Sequence, residues 1–351
     1  MLQKPDPAQE QHLLRDGYWD RTAIIKASDG SLRVRKISKG SDSAGPWGRD
    51  NLRAEARYLT NLEEPLVDFF PTLIQHWDGA STGYDMAYME GYVDVGQVAR
   101  NQLFSQAQAD AMQRYLGSRL LQQVHVSSDS TPCLVANIKS TFNKALGCLQ
   151  AHPQLHCLVH SISVNGLPVN TLEQQLSNIF SGALLPRMNA SPQVRLHGDL
   201  FLENMLLPAV DPGVNWPQLL VLIDPISVAG IGTGHPLFDL GKYESYATGE
   251  LPAMRQERLR LEGFEESTNN LQPGQYRWAI DWQDNALAGF KNINWHNQLR
   301  QLYVQHYGPI DRAMYELLQA YYAAAMVVCT TGKEQQARTL KMRSSLQLAL
   351  T

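Results

Sequence analysis

The sequence predicts an α+β chain of two lobes, a small mixed lobe with an antiparallel sheet over residues 1–90 and a larger, mostly helical lobe over 91–351. Three observations predict it. Residues 22–27 and 32–37 are alternating runs that flank Ser28-Asp29-Gly30-Ser31, a hairpin signal. From about residue 92 apolar residues recur at helical spacing, as in 107–125, where Met112, Leu116, Leu120 and Val124 make one stripe. This helical part is interrupted by two short apolar runs, 204–208 and 220–224, separated by the turn formers of 209–217.

In the second strand of the first hairpin, Leu32, Val34 and Lys36 share a face because side chains alternate. Lys36 is therefore expected to point inward with its apolar neighbours and to need an anionic partner. The next helical stretch, 50–59, sets Leu52, Glu55, Ala56 and Leu59 on one stripe, and Glu55 is the acid on it. A Lys36–Glu55 ion pair follows. The alternatives are a Lys36 that snorkels to water and a Glu55 at the helix edge, with Lys26 as a second lysine candidate. Residues 16–22, ahead of these strands, hold a single glycine and no GxGxxG pattern. Residues 84–91 read as a strand running into a glycine-ended connection. Farther on, helices are expected over 136–149, 172–180, 276–290 and 312–328, punctuated by Pro153, Gly166, Pro168 and Pro186. His125 reads as a packed or capping histidine.

The segment His197-Gly198-Asp199-Leu200-Phe201-Leu202-Glu203-Asn204 carries the chemistry. Asp199 is a potential proton acceptor and Asn204 a potential metal-ligating amide. If 204–208 and 220–224 form an antiparallel hairpin centred near Val214, Asn204 lies opposite Asp224 and the two meet at its open end. Phosphoryl transfer needs a carboxylate to orient the attacking hydroxyl and oxygen ligands to hold Mg²⁺ against phosphates. Taken singly, a His-Gly-Asp turn or an Ile-Asp-Pro strand end is structural more often than catalytic. In this order and spacing they point to a Mg²⁺-nucleotide site.

His197-Gly198-Asp199 through Asn204, Ile223-Asp224-Pro225, and Pro236-Leu237-Phe238-Asp239-Leu240-Gly241-Lys242 together resemble the aminoglycoside phosphotransferase family. The resemblance implies a protein-kinase-like fold and an ATP- and Mg²⁺-dependent transfer of the γ-phosphate to a small-molecule hydroxyl. It implies that Asp199 is the catalytic base, that Asn204 and Asp224 bind Mg²⁺, and that Asp239 braces the catalytic loop while His197 orients its backbone. It further implies that Lys36, held by Glu55, contacts the nucleotide phosphates. Ala87 to Met89 would then be a hinge whose backbone meets the adenine.

Composition sets limits on the alternatives. A net charge of −4 without a Lys/Arg block leaves no basic footprint for nucleic acid. No apolar run approaches a membrane span, and residues 1–11 lack a signal-peptide pattern. Cys133, Cys148, Cys157 and Cys329 show no zinc spacing and read as reduced thiols, hence a cytoplasmic expectation. A protein kinase is disfavoured because Asp239 follows Asp224 by only fifteen positions, too few for a long activation segment. An inactive nucleotide-binding scaffold is disfavoured because Lys36, Glu55, Asp199, Asn204 and Asp224 are all present. For the acceptor, Glu262, Glu265, Glu266, Asp281 and Asp284 could draw an amine and Trp278 and Trp282 could stack on a sugar, or all could be solvated surface. A sugar or polyol is as plausible as an antibiotic, and the oligomeric state is left open.

Overall fold

The computed structural model describes residues 6–17, 20–39, 45–79, 81–128, 134–209, 213–226, 231–264 and 274–351. Cys133, Glu265 and Glu266 lie outside the described residues, as do Tyr18 and Trp19 of the glycine-poor stretch.

Strands β1 (Ala8–Asp16), β2 (Asp20–Ala27), β3 (Leu32–Ser38), β4 (Leu73–Trp77) and β5 (Gly83–Ala87) form an antiparallel sheet in the order β1-β2-β3-β5-β4. The β2–β3 hairpin matches the alternation, with Thr22 paired to Lys36 and a turn closed at Gly30, whose φ is +83°. A left-handed residue there suits glycine. Val34 and Lys36 are buried. Helix α1 (Gly45–Thr60) packs on β3 and β5 through buried Leu52, Glu55, Ala56 and Leu59. Gly83 lets β5 approach closely, since a Cβ there would meet the Lys36 carbonyl at 2.5 Å. The edge strand β1 has no counterpart in the sequence expectation. All its residues are exposed, so it shows no apolar alternation, and its ladder to β2 defines it.

Beyond the sheet the chain is mainly helical. The Gln106–Arg119 helix continues into a π-helical turn, Leu120–Val124, and buries Met112, Leu116, Leu120 and Val124. Helices Leu134–Ala151, Leu172–Ser181 and Arg312–Val327 lie where periodicity puts them. The Leu184–Ala190 helix is hidden from sequence reasoning by Pro186. Proline in a first turn removes no intrahelical hydrogen bond, so it is tolerated there.

The helix expected over 276–290 is incorrect. Gln275–Ile280 is a strand, a turn follows in which Asp284 N–H donates to the Asp281 carbonyl (3.0 Å), and Ala288–Asn292 is a short helix. Tyr276, Trp278 and Ile280 alternate with Arg277 and Ala279, which is the strand period. This strand joins Leu259–Glu262 and the hairpin Ile162–Val164/Leu167–Val169 in a second sheet. Asn165 and Gly166 close that hairpin at φ +51° and +82°, an Asn-Gly signal that can pass for simple punctuation. The helical part is thus interrupted more than once.

The register of the 204–224 hairpin is also shifted from the expectation. Met205 pairs with Leu222 and Leu206 with Val221, so Asn204 faces Ile223, whose N–H donates to the Asn204 carbonyl (3.0 Å). Asp224 lies one residue beyond. The connection contains a 3₁₀ segment, Gly213–Leu219, instead of a tight turn, so turn geometry does not dictate the pairing. On its other edge the Met205–Pro208 strand pairs with Tyr92–Asp94. One continuous core runs from Val34, Leu52 and Tyr84, through Phe69 and Phe70, to Leu222, Phe238 and Tyr243. No described helix is long and apolar enough to cross a membrane.

Candidate active site

Asp199 sits on a loop held from below by one buried carboxylate. Asp239, on the Leu237–Ala247 helix and 0% exposed, accepts from the His197 N–H through Oδ2 and the Gly198 N–H through Oδ1, both at 2.8 Å. His125 Nε2 lies 3.0 Å from the same Oδ2, so the packed histidine at the end of its helix steadies the brace. Gly198 takes φ +85°. His197 Nδ1 accepts the Asp199 N–H at 3.3 Å, and its ring stacks on Phe70. Burial pushes the His197 imidazole down from its ordinary value, in keeping with an unprotonated Nδ1 that accepts. The loop backbone is thereby set before any ligand arrives.

Asn204 closes the loop. Its Nδ2 donates to the Asp199 carbonyl (2.9 Å) and to Asp199 Oδ2 (3.0 Å). The other carboxylate oxygen, Oδ1, is 2.8 Å from Lys242 Nζ. Asp224 compensates for its register by taking φ +52°, left-handed and uncommon for a residue with a side chain. Its carboxylate then lies 3.3 Å from Lys36 Nζ and 3.5 Å from Arg15 Nη2. Burial would raise this carboxyl, yet Lys36 and then Arg15 hold it below its ordinary range.

Lys36 is 2% exposed and bonds Glu55 Oε2 at 2.8 Å, so the alternation argument places the lysine inward and paired. Tyr84 donates to the same Glu55 oxygen (2.7 Å). Burial works to lower the Lys36 ammonium, but Asp224 and then Glu55 hold it above its ordinary value. Burial lifts the Glu55 carboxyl to about 7 against the pull of Lys36.

Asn204 and Asp224 open on a cleft of about 670 Å³, within the range of about 300–1,000 Å³ usual for ligand sites, and Asp199 and Lys36 stand behind its lining, bonded to Asn204 and Asp224. Arg15, Ala87, Met89, Asn204 and Asp224 line it. The Ala87 N–H is committed to the Thr72 carbonyl (2.9 Å), and the Met89 carbonyl accepts from Tyr92 N–H (3.2 Å). Among the described residues no cluster of three His, Cys, Asp or Glu side chains forms a metal site. The pair Asn204–Asp224 is a donor set of another kind, one amide and one carboxylate. Asn204 turns its nitrogen to Asp199 and lines the cleft, and Asp224 already attracts two cations. Hard oxygen donors of this sort fit Mg²⁺.

Two site residues escape the sequence reasoning. Lys242 lies one turn after Asp239 on the same helix, and that i, i+3 spacing could have flagged it. Arg15 has no such signal, because its place depends on the unrecognised strand β1. Of the acids considered for an acceptor, Glu262 lies 3.9 Å from Arg277, and Asp284 caps Ala286 N–H and pairs with Arg258. Neither they nor Asp281 line the cleft.

The brace has a pH limit. His235 Nδ1 accepts the Leu237 N–H (3.1 Å) at the start of the Asp239 helix, and burial pushes its imidazole down to about 4. Between the ordinary histidine value of about 6.5 and that value, the unfolded chain binds a proton that the folded chain does not. Its contribution to stability is complete above the upper limit and falls as pH drops toward the lower one. Urea unfolding at pH 7 and pH 5 is expected to show this loss, and His235→Asn, which keeps an acceptor, to reduce it. An unchanged pH slope in the variant would refute the assignment.

No family model matches the sequence, and no curated protein does. Solved structures do. A candidate fructosamine-3-kinase from Thermobifida fusca YX-ER1 superposes with a TM-score of 0.50 and 16% identity, over 98% of this chain and 93% of that one. A glucosamine kinase in complex with glucosamine, ADP and inorganic phosphate gives a TM-score of 0.43 at 10% identity, over 97% and 94%. A type I macrolide 2′-phosphotransferase gives 0.43 at 12% identity, over 99% and 92%. At these identities the likeness speaks to fold. The chain has the bilobal, protein-kinase-like fold of the first of these structures, with an antiparallel sheet in its N-terminal part and a helical C-terminal part.

Proposed function

We propose that this chain is an ATP- and Mg²⁺-dependent phosphotransferase that moves the γ-phosphate to a hydroxyl of a small molecule, with its two lobes meeting near residue 90. The observation that carries the proposal is that Asn204 and Asp224 line one cleft, with Asp199 bonded to the first and the Lys36–Glu55 pair bonded to the second. Asp199 orients the acceptor hydroxyl and takes its proton as the new oxygen–phosphorus bond forms. The bond from the γ-phosphorus to the bridging oxygen breaks, and ADP leaves. Lys36, positioned by Glu55, holds the nucleotide phosphates. The Met89 N–H and the Ala87 carbonyl are the hinge groups offered to the base. Asn204 and Asp224 would hold Mg²⁺, which neutralises phosphate charge when bound.

The test is ADP release from Mg·ATP with a panel of aminoglycosides, sugars and amino-polyols. Acceptor-dependent release supports the assignment. Nucleotide binding without release under any acceptor would favour an inactive scaffold instead. Asp224→Ala is expected to weaken Mg²⁺-dependent ATP binding by about tenfold or more, since a ligand oxygen is lost. Calorimetric titration across Mg²⁺ concentrations checks this, and an unaltered metal dependence would remove Asp224 from the metal site.

A further inference from the structure

A second cavity shares Arg255 with the cleft, and in its lining Lys242 bonds the Asp199 oxygen that Asn204 does not. It is small, about 50 Å³, less than the share of two water molecules at about 30 Å³ each. That is room for one compact functional group and not for a sugar ring. Its ionisable lining is four cations, Lys242, Arg255, Arg338 and Lys341, and one acid, Glu250. Arg255 also lines the main cleft, and Lys242 bonds Asp199 Oδ1 at 2.8 Å. The cavity is therefore one side chain, Lys242, away from the carboxylate assigned to the acceptor hydroxyl.

Each cation has a carboxylate partner, so the cluster as a whole is not an uncompensated charge. Lys242 pairs with Asp199, Arg255 with Glu203, Arg338 with Glu334 (2.6 Å) and Lys341 with Glu250 (3.0 Å). The arrangement is nonetheless polarised. Three of those four carboxylates, on Asp199, Glu203 and Glu334, do not line the cavity, whereas all four cations do. The Arg338 side chain is 4% exposed, a guanidinium kept at the wall despite the cost of burying it. An ammonium entering here would find one lining carboxylate, Glu250, which is already paired with Lys341, whereas an anion would find four cations that it could share with their carboxylates.

We propose that the acceptor carries an anionic group, a carboxylate or a phosphate, and that this group docks among Arg338, Lys341, Arg255 and Lys242. The inference rests on the phosphotransferase assignment and deepens it by naming the acceptor's class. As the acceptor docks, its hydroxyl takes the place of Lys242 on Asp199 Oδ1 and the ammonium passes to the acceptor's anion. The hydroxyl proton then goes to Asp199, the acceptor oxygen bonds the γ-phosphorus, and ADP departs with the bridging oxygen. An amino sugar, one of the acceptors considered from the sequence, is the wrong charge for this cavity.

The experiment is ADP release from Mg·ATP with matched six-carbon acceptors. These are gluconate (carboxylate), glucose 6-phosphate (phosphate), glucose (neutral) and glucosamine (amine). At least one of the two anionic acceptors is expected to exceed glucose and glucosamine tenfold or more in kcat/KM, and comparing the two identifies the anion. Lys341→Glu is expected to raise the KM for that acceptor at least tenfold while the KM for ATP stays put. Preference for glucose or glucosamine, use of neither anionic acceptor, or an unchanged acceptor KM in Lys341→Glu would each overturn the inference. In those cases ADP release that is lost in Asp199→Asn leaves the phosphotransferase assignment standing. An Asp199-independent signal, or none, removes both.

Discussion

Asp199→Asn is expected to lower ADP release at saturating Mg·ATP and acceptor by about 10²–10⁴-fold, the usual worth of a positioned general base. The amide keeps the size of the carboxylate but cannot take the hydroxyl proton. Within the loop the carboxylate also accepts from Asn204 Nδ2, a bond the single amide oxygen can keep only by turning its NH₂ toward Lys242. The backbone of residues 197–199 is held by Asp239 and the His197 ring, and these bonds are untouched. The pair to Lys242 is partly exposed, at 19% and 24%, so its loss should cost no more than about 1 kcal/mol. Nucleotide affinity should stay within about threefold, because the Lys36–Glu55 pair and Asp224 are elsewhere in the cleft. Single-turnover kinetics with parallel ADP and ATP titrations separate these quantities. Near-normal turnover in the variant would exclude Asp199 as the base.

Asp239→Ala is expected to have the largest effect on stability, about 3–5 kcal/mol. The carboxylate is fully buried and accepts two backbone N–H groups while contacting His125. Its removal leaves those donors buried without partners, which costs far more than the net worth of the bonds themselves. Asp239→Asn should fall between the variant and the parent, since an amide retains one acceptor oxygen and turns an NH₂ toward the other donors. The urea midpoint of each variant measures this, and hydrogen exchange at the amides of His197 and Gly198 localises it. Equal midpoints in all three proteins would mean that the loop is held by something other than Asp239. Turnover in the surviving folded fraction should also drop, because Asp199 would lose its fixed backbone.

Much of this site is legible in the sequence because its parts are local. The alternation of Leu32, Val34 and Lys36 and the helical stripe through Glu55 each need only a few residues and one period, and together they bring an ammonium and a carboxylate to 2.8 Å. The His197–Asn204 segment is similarly self-contained, and Asn204 reaches back to Asp199 within it. The failures share another cause. The 204–224 register depends on how the twelve-residue connection 209–220 folds; it contains a 3₁₀ segment, and the pairing is shifted by one. The strand Gln275–Ile280 is held in a sheet between Leu259–Glu262 and Ile162–Val164, the second more than a hundred residues away. Its apolar residues fit either a helix or a strand until those partners are known.

By itself the sequence determined the two-lobed plan, the inward lysine with its acid, and the loop that carries Asp199, since each follows from short-range periodicity or contiguous residues. Only the tertiary structure decided that Asp224 enters the cleft through a left-handed backbone, that Arg15 reaches it from an edge strand, and that Lys242 pairs with Asp199 beside a cation-lined cavity. Those outcomes depend on distances between residues far apart in the chain. Such distances are set by strand register and helix packing, which single-residue preferences do not encode.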